Sequence, residues 1–375
     1  MKSLVTRVFY YEQQNCLPAF KKVWPEYKEL GSHTLQATLK RVDLAYQSFF
    51  KGLRGKPRFK SIKRYSGWTY PDTAGWAVHT IGDNGYLDLR DLDLSIQMRG
   101  KARTWGTPTT CTIVYRHGKW YASITVNCNP VRETAGGAIG LDFGTYHAVA
   151  CSDGTLIDNP RFLAKSQGKI KKASRKKRKK RAPNFRKKVK ASKRWLKASK
   201  RVAKLQRKVA NQRQDWTHKV AAQIVSGNSL VATEELNIKG MTRKAKKGSK
   251  RKAQKTGLNR SMLDVGIGEL TNAIEYKLQE VGGYLVKVPT KTVKPSQTCP
   301  DCGHQEKKAL SQRVHFCTKC GCTDDRDVAA AKVMLSWALG TNVLNRGEEI
   351  NTSSPQHTGG WKQIFSKRRH KRTAL

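Results

Sequence analysis

The sequence predicts a multidomain α+β chain: a mixed helix-plus-barrel module over residues 1–130, an α/β core from 131, and a small zinc ribbon near its C-terminal end. Three observations carry this. Residues 110–115 and 120–126, rich in β-branched and aromatic side chains around a His117-Gly118 turn, read as a β-hairpin. Trp195, Val202, Val209 and Trp216 recur every seven residues, the stripe of a long helix. Cys299, Cys302, Cys317 and Cys320 form two CxxC pairs fourteen residues apart.

At 375 residues there is room for two or three modules with their own cores. No apolar run approaches a membrane span, and Met1-Lys2-Ser3-Leu4 does not open a signal peptide. Outside the CxxC pairs, Cys16, Cys111, Cys128, Cys151 and Cys322 are scattered and odd in number, which fits a reducing cytoplasm or nucleoid. Lys and Arg total 74 against 27 Asp and Glu, a net charge of +47. Such an excess calls for a polyanion, and nucleic acid, bound with release of counterions, is the expected partner rather than a membrane.

In the first module, Phe20, Val23, Trp24, Tyr27, Leu35, Leu39, Val42 and Phe49 give a helical pattern over 20–50. The stretch 54–65 interleaves cations with Phe59 and Tyr65, and Arg58, Lys60, Lys63 and Arg64 are candidate nucleic-acid contacts. Residues 74–130 read as strands and turns.

After a linker at 131–137 comes a short apolar strand, 138–144, carrying Asp142. Desolvating a carboxylate costs several kcal/mol unless it is paired or metal-bound, so Asp142 is a site candidate. Strands at 146–151 and 155–157 follow. From 165 to 208, 23 of 44 residues are Lys or Arg, within a stretch lacking any acid. Residues 175–181 are expected as a disordered basic arm. The long helix then presents Lys193, Arg194, Lys197, Lys200 and Arg201 on a cationic outer face for phosphates, inside a basic helical insertion over about 165–225. A strand over 228–237 ends in Glu234 and Glu235, a basic loop spans 239–255, a helix runs from about 261 to 280, and a strand covers 283–288.

The ribbon spans 296–323. Tight knuckles bring four thiolates to one tetrahedral Zn²⁺, which supplies folding energy that so small a unit cannot draw from a core. Two redox pairs or disulfides would lack a thioredoxin-like βαβ context. A final helix, 324–338, opens on Asp324-Asp325-Arg326-Asp327. Asp327 shares a face with Ala331 and Met334, leaving Asp324 or Thr323 as the N-cap. Residues 339–375 read as a disordered basic tail. Asp142, one of the pair Glu234 and Glu235, and Asp327 could together hold two Mg²⁺ ions for phosphodiester hydrolysis. Alternation does not choose between the two glutamates, because a central strand can be buried on both faces.

These pieces resemble the TnpB (OrfB) family, insertion-sequence-encoded relatives of the type V CRISPR effectors. The matching motifs are Gly140-Leu141-Asp142-Phe143-Gly144, Thr233-Glu234-Glu235-Leu236-Asn237, Cys299-Pro300-Asp301-Cys302-Gly303, Cys317-Thr318-Lys319-Cys320-Gly321 and Asp325-Arg326-Asp327-Val328-Ala329-Ala330-Ala331, with Arg58-Phe59-Lys60 and Asn159-Pro160-Arg161-Phe162. The resemblance implies an RNase H-like (RuvC) nuclease core with an inserted zinc ribbon, preceded by a β-barrel wedge domain with a helical recognition insert. It implies Asp142, Glu234 and Asp327 as catalytic and Mg²⁺-binding residues, and it selects Glu234. It further implies a monomer that binds a guide RNA from its element's end. That complex cuts double-stranded DNA beside a short transposon-associated motif, leaving 5′-phosphate ends. Ala329 stands where the family usually has Asn, and the first wedge strand is expected to be missing. A nuclease-inactive, RNA-guided DNA-binding repressor is the second reading.

Overall fold

The chain divides into two units, Met1–Val131 and Arg132–Leu375. The computed structural model describes residues 10–59, 65–81, 84–99, 106–128, 134–184, 186–246, 248, 250–309 and 311–341. In the first unit, α1 (Tyr10–Asn15), α2 (Leu17–Val23) and α3 (Ser32–Phe50) replace the single helical stretch read over 20–50. Pro25 opens a separate 3₁₀ turn and Gly31 stands extended ahead of α3.

Six strands follow: β1 (Gly67–Tyr70), β2 (Trp76–Ile81), β3 (Asn84–Leu89), β4 (Leu94–Arg99), β5 (Gly106–Arg116) and β6 (Lys119–Cys128). They form two antiparallel three-stranded sheets, β1-β5-β6 and β2-β3-β4. The β5–β6 turn has both His117 and Gly118 at positive φ (57° and 82°), which matches the twist of a tight hairpin. Tyr70, Trp76, Leu87, Leu89, Cys111 and Ile113, drawn from both sheets, share one buried cluster. The expected barrel is not closed: among the described residues no hydrogen-bonded ladder joins the sheets. Each sheet buries its apolar side in the common cluster, so packing replaces closure.

The second unit contains β7 (Gly137–Asp142), β8 (His147–Cys151), β9 (Leu156–Asp158), α4 (Phe162–Arg178), α5 (Lys193–Gly227), β10 (Asn228–Glu234), α6 (Ile238–Met241), α7 (Lys252–Val265), α8 (Ile267–Glu280), β11 (Tyr284–Val288), α9 (Thr290–Val293), β12 (Val314–Phe316), β13 (Thr323–Asp325) and α10 (Arg326–Leu339). Its sheet runs β11-β10-β7-β8-β9. β7, β8 and β9 are an antiparallel meander, while β10 lies parallel to both β7 and β11. One face packs Ile139, Leu141 and Val231 against α5 and α8 through Val220, Ile224, Leu270 and Ile274. The other packs Ala232 and Val288 against α10 through Ala331 and Met334.

Two segments differ from expectation. Residues 175–178, read as part of a disordered arm, end α4. That helix is anchored at its start, where the buried Asp264 carboxylate accepts the N–H groups of Leu163 (2.8 Å) and Ala164 (3.1 Å). Near its end, Lys177 Nζ lies over the Trp195 ring. The helix read over 261–280 breaks into α7 and α8 at Gly266, whose φ of 76° closes the first. A Cβ at Gly266 would meet Arg213 Cδ at 2.7 Å, so both φ and space demand glycine. The long helix is 35 residues, capped by Ser192 Oγ, with Val202 and Val209 buried along the expected stripe. The tail read as disordered falls almost wholly outside the described residues. Among those residues no helix is long and apolar enough to cross a membrane.

Candidate active site and metal centre

Successive β7 side chains face opposite sides of the sheet. Ile139 and Leu141 turn toward α5 and α8, so Gly140 and Asp142 turn toward α10. A Cβ on Gly140 would lie 1.9 Å from the Ala331 carbonyl oxygen, so its absence lets the α10 backbone rest directly on the sheet. In β10, Val231 joins the first cluster and Ala232 the second. Glu234, two residues beyond Ala232, therefore falls on the α10 face. The parallel register Thr233↔Leu141 then sets Glu234 beside Asp142. Glu235 lies past the strand end and is exposed, with its N–H bonded to the Val288 carbonyl at 3.0 Å. Parity and register thus distinguish the two glutamates. Asp327 lies one helical turn before Ala331, at the end of α10 that meets the same strand ends.

Asp142 feels both of the other carboxylates. Burial foremost, then the negative charges of Glu234 and Asp327, push the Asp142 carboxyl up to about 8. The Arg326 guanidinium and the Phe143 N–H, which donates to it, act in the opposite sense. Burial also raises Glu234. Crowded carboxylates resist joint ionisation, and a cation among them removes that penalty. Among the described residues only cysteines, with His315, gather three or more ligand atoms within 4.8 Å of one another. The three carboxylates do not reach that spacing. The donor set, all oxygen, suits hard Mg²⁺.

The cap of α10 is Asp325, not Asp324 or Thr323. Its Oδ1 accepts the N–H groups of Asp327 (2.9 Å) and Val328 (3.2 Å). Thr323 and Asp324 lie in β13, and Asp324 pairs with Lys332 Nζ at 2.6 Å. Three acids within four residues offered the same capping chemistry, and only the backbone separates them. Sequence reasoning also missed Arg313, whose Nη1 lies 3.7 Å from Asp327 Oδ2; an isolated arginine before a three-residue strand carries no motif.

At the ribbon, Cys299 and Cys320 Sγ are 3.6 Å apart, and Cys302 and Cys317 Sγ 3.5 Å. A tetrahedron of Zn–S bonds near 2.3 Å has sulfur–sulfur edges of about 3.8 Å, so the four thiols fit a zinc ion. Lys193, Arg194, Lys197, Lys200 and Arg201 are all exposed on α5. Arg58 is exposed beside a fully exposed Phe59; Lys60, Lys63 and Arg64 lie outside the described residues.

Residues 121–245 match the OrfB_IS605 family, described as "Probable transposase", and residues 268–334 match the Cas12f1-like TNB domain. The chain is 31% identical over 336 residues to InsQ of Escherichia coli (strain K12), named as an RNA-guided DNA endonuclease, covering 88% of this chain and 79% of InsQ. It is 28% identical over 349 residues to a Streptomyces pristinaespiralis protein named likewise, covering 91% of this chain and 80% of that protein. A solved structure of the mini-RNA-guided endonuclease CRISPR-Cas_phi3 aligns with a TM-score of 0.37 at 13% identity, covering 75% of this chain and 58% of that one.

Proposed function

From the chain's membership of the TnpB (OrfB) family, we infer that it is an RNA-guided, Mg²⁺-dependent DNA endonuclease of a transposable element. The observation that carries this reading is that Asp142, Glu234 and Asp327, spread over 186 positions, turn to one face at neighbouring strand ends and raise the charge cost of Asp142. The order β11-β10-β7-β8-β9, with only β8 antiparallel to its neighbours, supports an RNase H-like (RuvC) core over 131–295. The zinc ribbon is assigned to 296–323 and the last core segment, which carries α10, to 324–338. The unit before residue 131 serves as the wedge and recognition module.

Asp142, Glu234 and Asp327 would hold two Mg²⁺ ions, which supply activation of a water and stabilisation of the leaving 3′-oxygen, giving 5′-phosphate ends. The protein's own groups prepare that site. The Phe143 N–H orients the Asp142 carboxylate, and Asp325 fixes the first turn of α10 so that Asp327 keeps its place. Arg313 and Arg326 add positive charge beside the acids, where a DNA phosphate must come. The cationic face of α5 takes the backbone of the guide RNA or its heteroduplex with target DNA, while base pairing supplies sequence choice.

The test begins with sequencing the RNA that copurifies with the protein. The complex is then given Mg²⁺ and double-stranded DNA matching that RNA beside a randomised flank. Cutting of both strands next to one short motif, abolished in Asp327→Ala with target binding retained, is the expected result. Tight guided binding without cutting by the unmodified protein would make it an RNA-guided DNA-binding repressor. Absence of any specific RNA would overturn RNA guidance.

A further inference from the structure

The ribbon strand β12 is built inside out. Val314 and Phe316 are exposed (54% and 52%), while His315 between them is 2% exposed. Strands normally bury the apolar side and show water the polar one, so this inversion forfeits apolar burial to place an imidazole inside. Its Nε2 is buried with no hydrogen-bond partner, a loss of about 1–3 kcal/mol unless something meets it. Two sulfurs face it: Cys299 Sγ, Cys322 Sγ and a His315 ring nitrogen all lie within 4.8 Å of one another. The Asp301 carboxylate is also near the Cys322 thiol. The four-cysteine zinc site uses neither His315, Cys322 nor Asp301.

We propose that the ribbon holds a second thiophilic metal ion, which shares the Cys299 sulfur with the four-cysteine site and takes His315 Nε2 and Cys322 Sγ as its other protein ligands, with water completing the shell. Two sulfurs, an imidazole and a water oxygen are a donor set that zinc accepts at four-coordinate geometry. Every group comes from the knuckles or the short strands: Cys299 opens the first CxxC, Cys322 lies just after the second, and His315 stands opposite Asp324 in the β12–β13 ladder. The backbone geometry that serves the first ion therefore delivers the second set. Lys308 Nζ contacts Nδ1, the other ring nitrogen of His315, which leaves Nε2 as the atom turned to the sulfurs. With an ion on Nε2 the ring proton sits on Nδ1, where Lys308 either accepts it as the free amine or turns to solvent.

The proposal is independent of nuclease activity and is tested on metal content. Full-length protein grown and purified with zinc should carry two zinc ions per chain, and His315→Phe and Cys322→Ser one each. The remaining zinc in each variant shows that the ribbon is still folded. Cadmium-substituted protein should show two ¹¹³Cd resonances split by mutual coupling through the shared sulfur, reduced to one unsplit resonance in either variant. One zinc in the unmodified protein and in both variants would overturn the proposal and leave Nε2–H as a donor to a thiolate of the first site. Two zincs in all three proteins would put the second ion elsewhere and overturn it equally. Loss of all zinc from Cys322→Ser would move Cys322 into the first site, which also refutes the arrangement.

Discussion

Asp142→Asn should stabilise the metal-free protein while removing its cleavage activity, and the gain should grow with pH. The carboxyl is pushed from an ordinary 3.8 to about 8, chiefly by burial and then by Glu234 and Asp327. A group whose folded pKa is raised contributes stability that is fully present below its unfolded pKa and is lost as pH rises through the folded one. The unmodified protein should therefore weaken between about pH 4 and pH 8, by at most about 6 kcal/mol at 1.36 kcal/mol for each pH step. Glu234, also raised, acts with the same sign. Asparagine does not titrate, so between pH 5.5 and 8.5 the variant should gain about 3 kcal/mol on the unmodified protein. Urea unfolding in Mg²⁺-free buffer without chelator, so that the ribbon keeps its zinc, measures the difference, and effects common to both proteins cancel. Adding Mg²⁺ to 100 times its Kd should return about 2.7 kcal/mol to the unmodified protein alone. A difference that stays flat across that pH range would refute the carboxylate crowding on which the metal site is argued.

The other outcomes can be checked on the same preparations. Replacing Lys193, Arg194, Lys197, Lys200 and Arg201 with Gln should weaken RNA binding for related and unrelated sequences alike, and reduce the slope of log affinity against log salt by up to about 3.5 if each cation meets one phosphate; an unchanged slope would mean that the face is only solvated. Gly140→Ala sets a methyl 1.9 Å from the Ala331 carbonyl, so it should cost about 1–3 kcal/mol or more and lower cleavage through displacement of Asp327, read as lost thermal stability together with lost rate. Asp325→Ala removes the α10 cap and should cost about 1 kcal/mol. Measurable cleavage should survive it, since the carboxylate is spent on backbone N–H groups, and complete loss would point to a metal-ligand role instead.

Much of the candidate site was legible because its residues break local rules. Asp142 is conspicuous as an acid within an apolar strand, and Asp327 follows from helical periodicity with Ala331 and Met334. The choice between Glu234 and Glu235 was not legible from local pattern. It depends on which face Ala232 takes and on a parallel register with a strand about ninety positions earlier, both properties of the assembled sheet. The same holds for the barrel: the β5–β6 hairpin can be read from its β-branched and aromatic runs, but closure depends on pairings between strands, and here two sheets meet through side chains instead. Gly266 was a readable breaker overridden by the strong apolar period on either side of it. His315 was invisible because a three-residue strand has too few positions to display its alternation.

The scarcity of acids supplies a further argument for the site. In a chain of net charge +47, an acid that is not at the surface is expected to have a cationic or N–H partner. In the second unit most do. Asp264 caps α4 and faces Arg213, Asp325 caps α10, and Asp324 pairs with Lys332. Glu234 has no hydrogen-bond or ion-pair partner among the described residues, although it is only partly exposed and its carboxyl is raised by burial. Among the described residues Asp142 has only its neighbour's N–H and the charge of Arg326 in its favour. With dozens of lysines and arginines in the sequence, two adjacent carboxylates without a close cation among the described residues stand apart from that pattern. Supplying a lysine there would neutralise the pair permanently and fill the space. On the proposed function the pair would instead share a cation from solution, which can meet a phosphate at the same time.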